Sequence, residues 1–169
     1  FLGAVENFFS KCAPAMFMGW SNLNFDRRMF HFNFFKGNRY PYATHSSPNQ
    51  EHDGLHIARA AQTLNSETLK TELTQAGNPS LALESLSRMQ GFDTSASHTA
   101  YVDAQNSLKV LRIIKDKHKE NWETFLKTST KTSVETFLKN EGIYSIFENV
   151  KGRNMMYLTS TLHPNHCFH

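Results

Sequence analysis

The chain has 169 residues and a formal charge of +3, with 39% hydrophobic and 20% charged residues. That length can bury one real core, and that balance excludes wholesale disorder. Charge runs basic, acidic, basic, with five Lys/Arg against two acids in residues 1–42, three against six in 43–98 and ten against seven in 99–169, which lacks the concentrated stripe of a nucleic-acid binder.

Nine of the fourteen phenylalanines fall within the first 35 residues. In residues 1–10 the spacing of Leu2, Val5 and Phe9 predicts a helix with one apolar stripe, which Pro14 ends or kinks. Met16, Phe17, Met18 and Trp20 follow as fillers of an irregular apolar surface. No run of eighteen apolar residues exists, so a simple membrane-spanning helix is excluded. Residues 1–20 read instead as an interfacial or partner-packed helix.

From Ser21 to Gly54 the pattern predicts little regular structure beyond one short strand, where Phe30, Phe32 and Phe34 alternate with His31 and Asn33. Fully extended, residues 21–42 would reach roughly 70 Å at about 3.3 Å per residue. A segment so rich in aromatics is expected to be an ordered arm docked on another surface.

A helical body follows. Leu55, Ala58, Ala61, Leu64, Leu69 and Leu73 predict a helix ending near Gly77. Asn78 and Pro79 predict a restart, and Gly91 a left-handed helix end. Ala104, Leu108, Leu111, Lys115, His118, Trp122 and Phe125 form one long heptad-like seam. Thr132 and Glu135 predict a capping box. Ile143, Ile146, Phe147 and Val150 predict a short helix ending at Gly152, and Met155 to Leu162 fits strand or helix. The expected fold class is therefore all-α, a body of about five helices (residues 55–162) behind an N-terminal segment and extended arm (1–54) and a His-rich tail (163–169).

Signals for chemistry are few. His163, His166, Cys167 and His169 are the candidate metal ligands of the tail, but their spacing matches no known zinc pattern. His52 and His56 stand i, i+4, a metal-site spacing that Gly54 places at a helix that has barely begun. The His52-Asp53 doublet is found in metal-dependent phosphohydrolases, without their further ligands. Cys12 and Cys167 form no disulfide framework, and Cys12 is expected to be buried. The carboxylates read as solvated helix surface, and no nucleophile elbow or phosphate loop occurs. No cofactor and no enzymatic activity are expected. The expected sites are binding surfaces: Phe8, Phe9, Phe17 and Trp20 against membrane or partner, then Arg27, Arg28, Phe30, Phe32, Phe34, Arg39 and Tyr40 for docking. Phosphate contacts by Arg27, Arg28, Lys36 and Arg39 with base stacking on Phe are the nucleic-acid reading of that stretch, disfavoured because its Phe residues are too dense.

The apolar residues 1–20, the aromatic arm of residues 25–42 and the small helical body together resemble lineage-specific accessory subunits of mitochondrial inner-membrane complexes, above all protist ATP synthases. A start at Phe1 instead of Met fits a removed presequence. The resemblance implies a non-catalytic structural role at the mitochondrial inner membrane, with neighbouring subunits and lipid as partners and nucleic acid not among them. The alternatives are a mitoribosomal accessory protein, bound to RNA through the same arginines, and a small metal-dependent hydrolase.

Overall fold

The computed structural model describes residues 1–95 and 97–161. The architecture is α/β, a correction of the all-α expectation. The elements in chain order are α1 (Leu2–Cys12), β1 (Met16–Gly19), α2 (Asp26–Lys36), β2 (Gln50–Asp53), α3 (Gly54–Leu64), α4 (Leu83–Met89), α5 (Ala100–Lys117), α6 (Lys119–Lys127), α7 (Lys131–Asn140), β3 (Tyr144–Val150) and β4 (Arg153–Thr159). Strand β1 pairs in parallel with β2, Met16 opposite Gln50 and Gly19 opposite Asp53. Strands β3 and β4 form an antiparallel hairpin.

The largest departure lies in the phenylalanine-rich beginning. Residues 26–36 are neither an extended arm nor a strand but the helix α2. Phe30 and Phe34 alternate in sequence, yet their four-residue spacing also puts them on one helix face, and that reading wins. Phe34 is 1% exposed. Phe9 of α1 packs against it with ring centroids 6.3 Å apart, against Phe30 at 5.5 Å and against Phe17 of β1 at 5.0 Å. The chain thus supplies its own partner for half of the aromatic surface. Each such burial contributes about 1.5–3 kcal/mol gross, which offsets part of the chain entropy lost in ordering the segment.

Asp53 closes β2 and opens α3. Its carboxylate caps α3 by accepting from Leu55 N at 2.9 Å and also accepts from Ser21 N at 2.9 Å and Leu23 N at 3.3 Å. One buried side chain therefore fixes the helix start and the turn after β1. Helix α3 ends at Leu64 rather than near Gly77, because Asn65 folds back to accept from Glu67 N at 2.9 Å, a local turn that competes with further helix. Pro79 pairs in an isolated bridge with Leu73 instead of starting a helix. Helix α4 ends in a paired carbonyl closure, with Phe92 N donating to Ser87 O and Gly91 N to Arg88 O, and Gly91 at φ +77°.

The long seam of residues 104–125 divides at His118, whose φ of −131° and ψ of 53° separate α5 from α6. The buried face of α5 is Val110, Leu111 and Ile114, packed with Ile57, Ala58, Ala61, Leu69, Leu81 and Leu86 into the core. Of the seam residues on α5 only Leu111 joins that cluster. The capping box of α7 is formed by Thr130 and Ser133, two residues before the expected Thr132. The second short helix is replaced by the β3–β4 hairpin, since Lys151 and Gly152 take φ of 50° and 82°, the two-residue turn that matches strand twist. Cys12 is exposed, not buried.

Candidate functional site

A cleft of about 830 Å³ runs between the face of α5 and the β1–α2 unit. Helix α5 presents to it Ala100, Asp103, Ala104, Ser107, Leu108, Leu111, Arg112 and Lys115, a stripe in steps of three and four. The opposite wall holds Phe17, Met18, Gly19 and Trp20, then Asn22, Asp26 and Phe30.

Two carboxylates stand out within it. Asp26 opens α2 and makes no ion pair or hydrogen bond through its side chain among the described residues. Asp103 sits in the first turn of α5 and accepts from the backbone N–H of His98 at 3.3 Å. They come from elements about 77 residues apart in the chain (26 to 103) and face one cleft. Glu51 of β2 also lines it but is occupied. It accepts from Asn22 Nδ2 at 3.0 Å and Arg27 Nε at 2.9 Å, with Thr44 Oγ1 at 3.4 Å. Arg112 and Lys115 lie nine and twelve residues beyond Asp103, about 14–18 Å along the helix, so the cleft is acidic at one end and basic farther along.

Asp26 and Asp103 offer hard oxygen donors. A magnesium-type cation is commonly held by one or two carboxylates together with substrate phosphates, and the pair fits that donor set. Among the described residues no group of three or more His, Cys, Asp or Glu converges on one point, so an all-protein cage does not form there. His98 stands at the entry to α5 with its side chain exposed and Nε2 3.4 Å from Glu84 Oε2.

The expected binding residues are distributed on both sides of the fold. Phe17, Trp20 and Phe30 line the cleft, and Trp20 Nε1 donates to Leu81 O at 3.1 Å. Phe9 and Phe34 are core. Phe8, Phe32 and Tyr40 are exposed, and Tyr40 Oη lies 2.8 Å from Ser46 Oγ. Arg27 pairs with Glu51 and Arg39 with Glu6, while Arg28 is exposed. The tail candidates His163, His166, Cys167 and His169 lie outside the described residues. The His52-Asp53 doublet is not a ligand pair, since Asp53 is spent on three backbone amides. Asp26, Asp103, Glu51 and His98 are the residues that reading the sequence missed.

No protein-family model matches the sequence. The fold, however, is similar to part of solved exonuclease I structures. Escherichia coli exonuclease I in complex with a dT13 oligonucleotide superposes with a TM-score of 0.78 at 18% identity, over 98% of this chain and 37% of that one. A moderately thermophilic exonuclease I from Methylocaldum szegediense gives a TM-score of 0.75 at 18% identity, over 89% and 32%. In sequence the chain is similar to exodeoxyribonuclease I of Haemophilus influenzae (25% identical, 70% of this chain, 25% of that protein) and of Buchnera aphidicola (27% identical, 96% and 37%). Similarity to the Escherichia coli enzyme is 29% over 58% of this chain and 21% of the relative. The chain thus spans between about a fifth and a little over a third of the length of these curated relatives.

These findings overturn the accessory-subunit resemblance and the non-catalytic role drawn from it. They overturn the ATP synthase assignment and the inner-membrane placement as well, and no helix among the described residues is long and apolar enough to cross a membrane. The exclusion of nucleic acid falls with them, since a structural neighbour is bound to an oligonucleotide. The physical reason for the error is the aromatic segment, whose burial against α1 and β1 was assigned to foreign surfaces.

Proposed function

We propose that this chain forms the catalytic cleft of an exodeoxyribonuclease that hydrolyses phosphodiester bonds in a DNA strand, with α5 as one wall and the β1–α2 unit as the other. The observation that carries the reading is that Asp26 and Asp103 line one cleft, in a fold similar to part of exonuclease I. Two carboxylates beside a phosphodiester repel it, so the arrangement needs a divalent cation to reverse the local charge. Asp26 and Asp103 would hold that cation, which when bound would polarise the phosphoryl oxygens and make the attacking water easier to deprotonate.

The chain's own residues do the rest. Arg112 and Lys115 attract the phosphates of the strand lying along α5. Phe17, Trp20 and Phe30 give bases an aromatic lining, which accepts any sequence because every base has a π-face. His98, whose backbone N–H donates to Asp103 and whose imidazole stands exposed beside Glu84, is our candidate to take a proton from the attacking water once the strand is bound.

The test is nucleotide release from a labelled single-stranded oligonucleotide by the natively expressed protein with magnesium. Asp26→Asn and Asp103→Asn are expected to slow release at least about a hundredfold, since several kcal/mol of charge stabilisation is lost. Both side chains reach solvent or the cleft, so circular dichroism should be unchanged. Wild-type rates in both variants would sink the reading.

A further inference from the structure

Helix α2 carries phenylalanine on both faces, and only one face is used by the fold. Phe30 and Phe34 turn inward to Phe9. Phe25, Phe32 and Phe35 turn outward and are 67%, 63% and 77% exposed, with Met29 half in water beside them. Their positions at i, i+7 and i+10, with Met29 at i+4, fall within one third of the helix circumference. Three large aromatic rings left in water along one stripe mark a contact surface.

The stripe also carries charge of one sign. Arg28 and Lys36 lie on the same face, and neither forms an ion pair among the described residues. Lys36 Nζ sits 6.0 Å from the centroid of the Phe32 ring. A cation beside a free ring face is the pairing that receives a phosphate and its stacked base together. The stripe lies on the same helix as Asp26 and Phe30, which line the cleft from a different face. From Asp26 to Lys36 the helix runs about 16 Å.

We infer that the outer face of α2 is a second, sequence-tolerant platform for single-stranded nucleic acid, with bases on Phe25, Phe32 and Phe35 and Arg28 and Lys36 on the phosphates. The inference rests on the exodeoxyribonuclease reading for the identity of its ligand. Charge complementarity favours a polyanion over a protein groove, where lysine is depleted at buried contacts. An enzyme that must accept every sequence is served by stacking, which reads none.

Binding of 6- and 20-nucleotide single strands, followed by fluorescence anisotropy across a salt series, tests it. Phe32→Ala combined with Phe35→Ala is expected to weaken the 20-mer about fivefold or more and the 6-mer little. Arg28→Glu combined with Lys36→Glu is expected to flatten the salt dependence of the 20-mer, the log–log slope falling by about 1.4. All four side chains are exposed, and unchanged melting temperatures will show that the fold is kept. Undiminished 20-mer affinity in both double variants overturns the inference. So does a change confined to self-association or to a protein contact, which would make the stripe a protein-docking face. Asp26→Asn separates the two readings: if it hydrolyses DNA normally, the cleft assignment fails while the platform still stands or falls on the 20-mer.

Discussion

Arg27 Nε donates to Glu51 Oε2 at 2.9 Å, tying the first turn of α2 to β2 across the floor of the cleft. Glu51 is almost fully buried, and Asn22 Nδ2 holds its other oxygen at 3.0 Å. The neighbour of Arg27 in the chain is Asp26, so this ion pair sets where the candidate metal carboxylate stands.

Glu51→Ala should therefore act on both stability and activity. It strands the Arg27 guanidinium, and removing one member of a buried pair costs about 3 kcal/mol when the other remains partly solvated. Chemical denaturation of the variant is expected to show that loss. Glu51→Gln keeps one accepting oxygen, enough for Arg27 or Asn22 but not both, and should recover part of it. Activity lost in Glu51→Ala but not in Glu51→Gln would show that Glu51 positions Asp26 instead of binding metal itself.

Asp53 joins three backbone amides from two segments, Ser21, Leu23 and Leu55. Asp53→Ala removes a helix cap, worth about 0.5–2 kcal/mol, and leaves Ser21 and Leu23 to find other acceptors, at about 1–3 kcal/mol for each amide left buried and unpaired. A loss of at least about 2 kcal/mol in denaturant unfolding is expected, more than for any exposed carboxylate. Loss of less than that would show that water replaces the carboxylate at the turn.

These two residues also show how much the sequence carried. The start of α3 was legible, because Asp before Gly-Leu is a local capping signal. The ladder between β1 and β2 was not, since Met16–Gly19 and Gln50–Asp53 lie 34 residues apart and neither has a strand's alternating pattern. Asp26 and Asp103 were hidden for a different reason. Acids in the first turn of a helix are common because they complement its dipole, so each looked ordinary until the fold brought both to one cleft. Phe30 and Phe34 satisfied period two and period four equally, and only the tertiary contact with Phe9 decided between them. The β3–β4 hairpin hinged on positive φ at Lys151, which a lysine does not advertise.

His45 and His52 give the chain a pH dependence of fixed sign. Burial lowers the affinity of both imidazoles for a proton, with the Arg27 charge adding to the effect at His45 and the nearby His56 at His52. At His45 this keeps the 3.6 Å approach of Nδ1 to Glu51 from becoming an ion pair near neutrality. As pH falls below the ordinary histidine value of 6.5, the unfolded chain takes up protons that the folded chain resists. Stability is then full above that value and declines through the window between it and the lower folded values. Unfolding midpoints in denaturant at pH 7.5 and 5.5 are expected to differ in that direction. His52→Gln should flatten the difference, and equal midpoints for the wild-type chain would contradict it.

His98 offers the last test, because the catalytic role proposed for it and its role in structure separate cleanly. Its backbone N–H donates to Asp103, its φ is +71°, and its imidazole is exposed beside Glu84. The side chain thus contributes little to packing, and His98→Ala is expected to leave the melting temperature close to wild type. If the imidazole takes the proton from the attacking water, the same variant should lower kcat roughly 10²–10⁴-fold with KM little changed. His98→Gln, which keeps the polar contact with Glu84 but cannot titrate, separates the two roles. If kcat in His98→Gln stays near wild type, the base lies elsewhere and His98 serves only to hold Asp103.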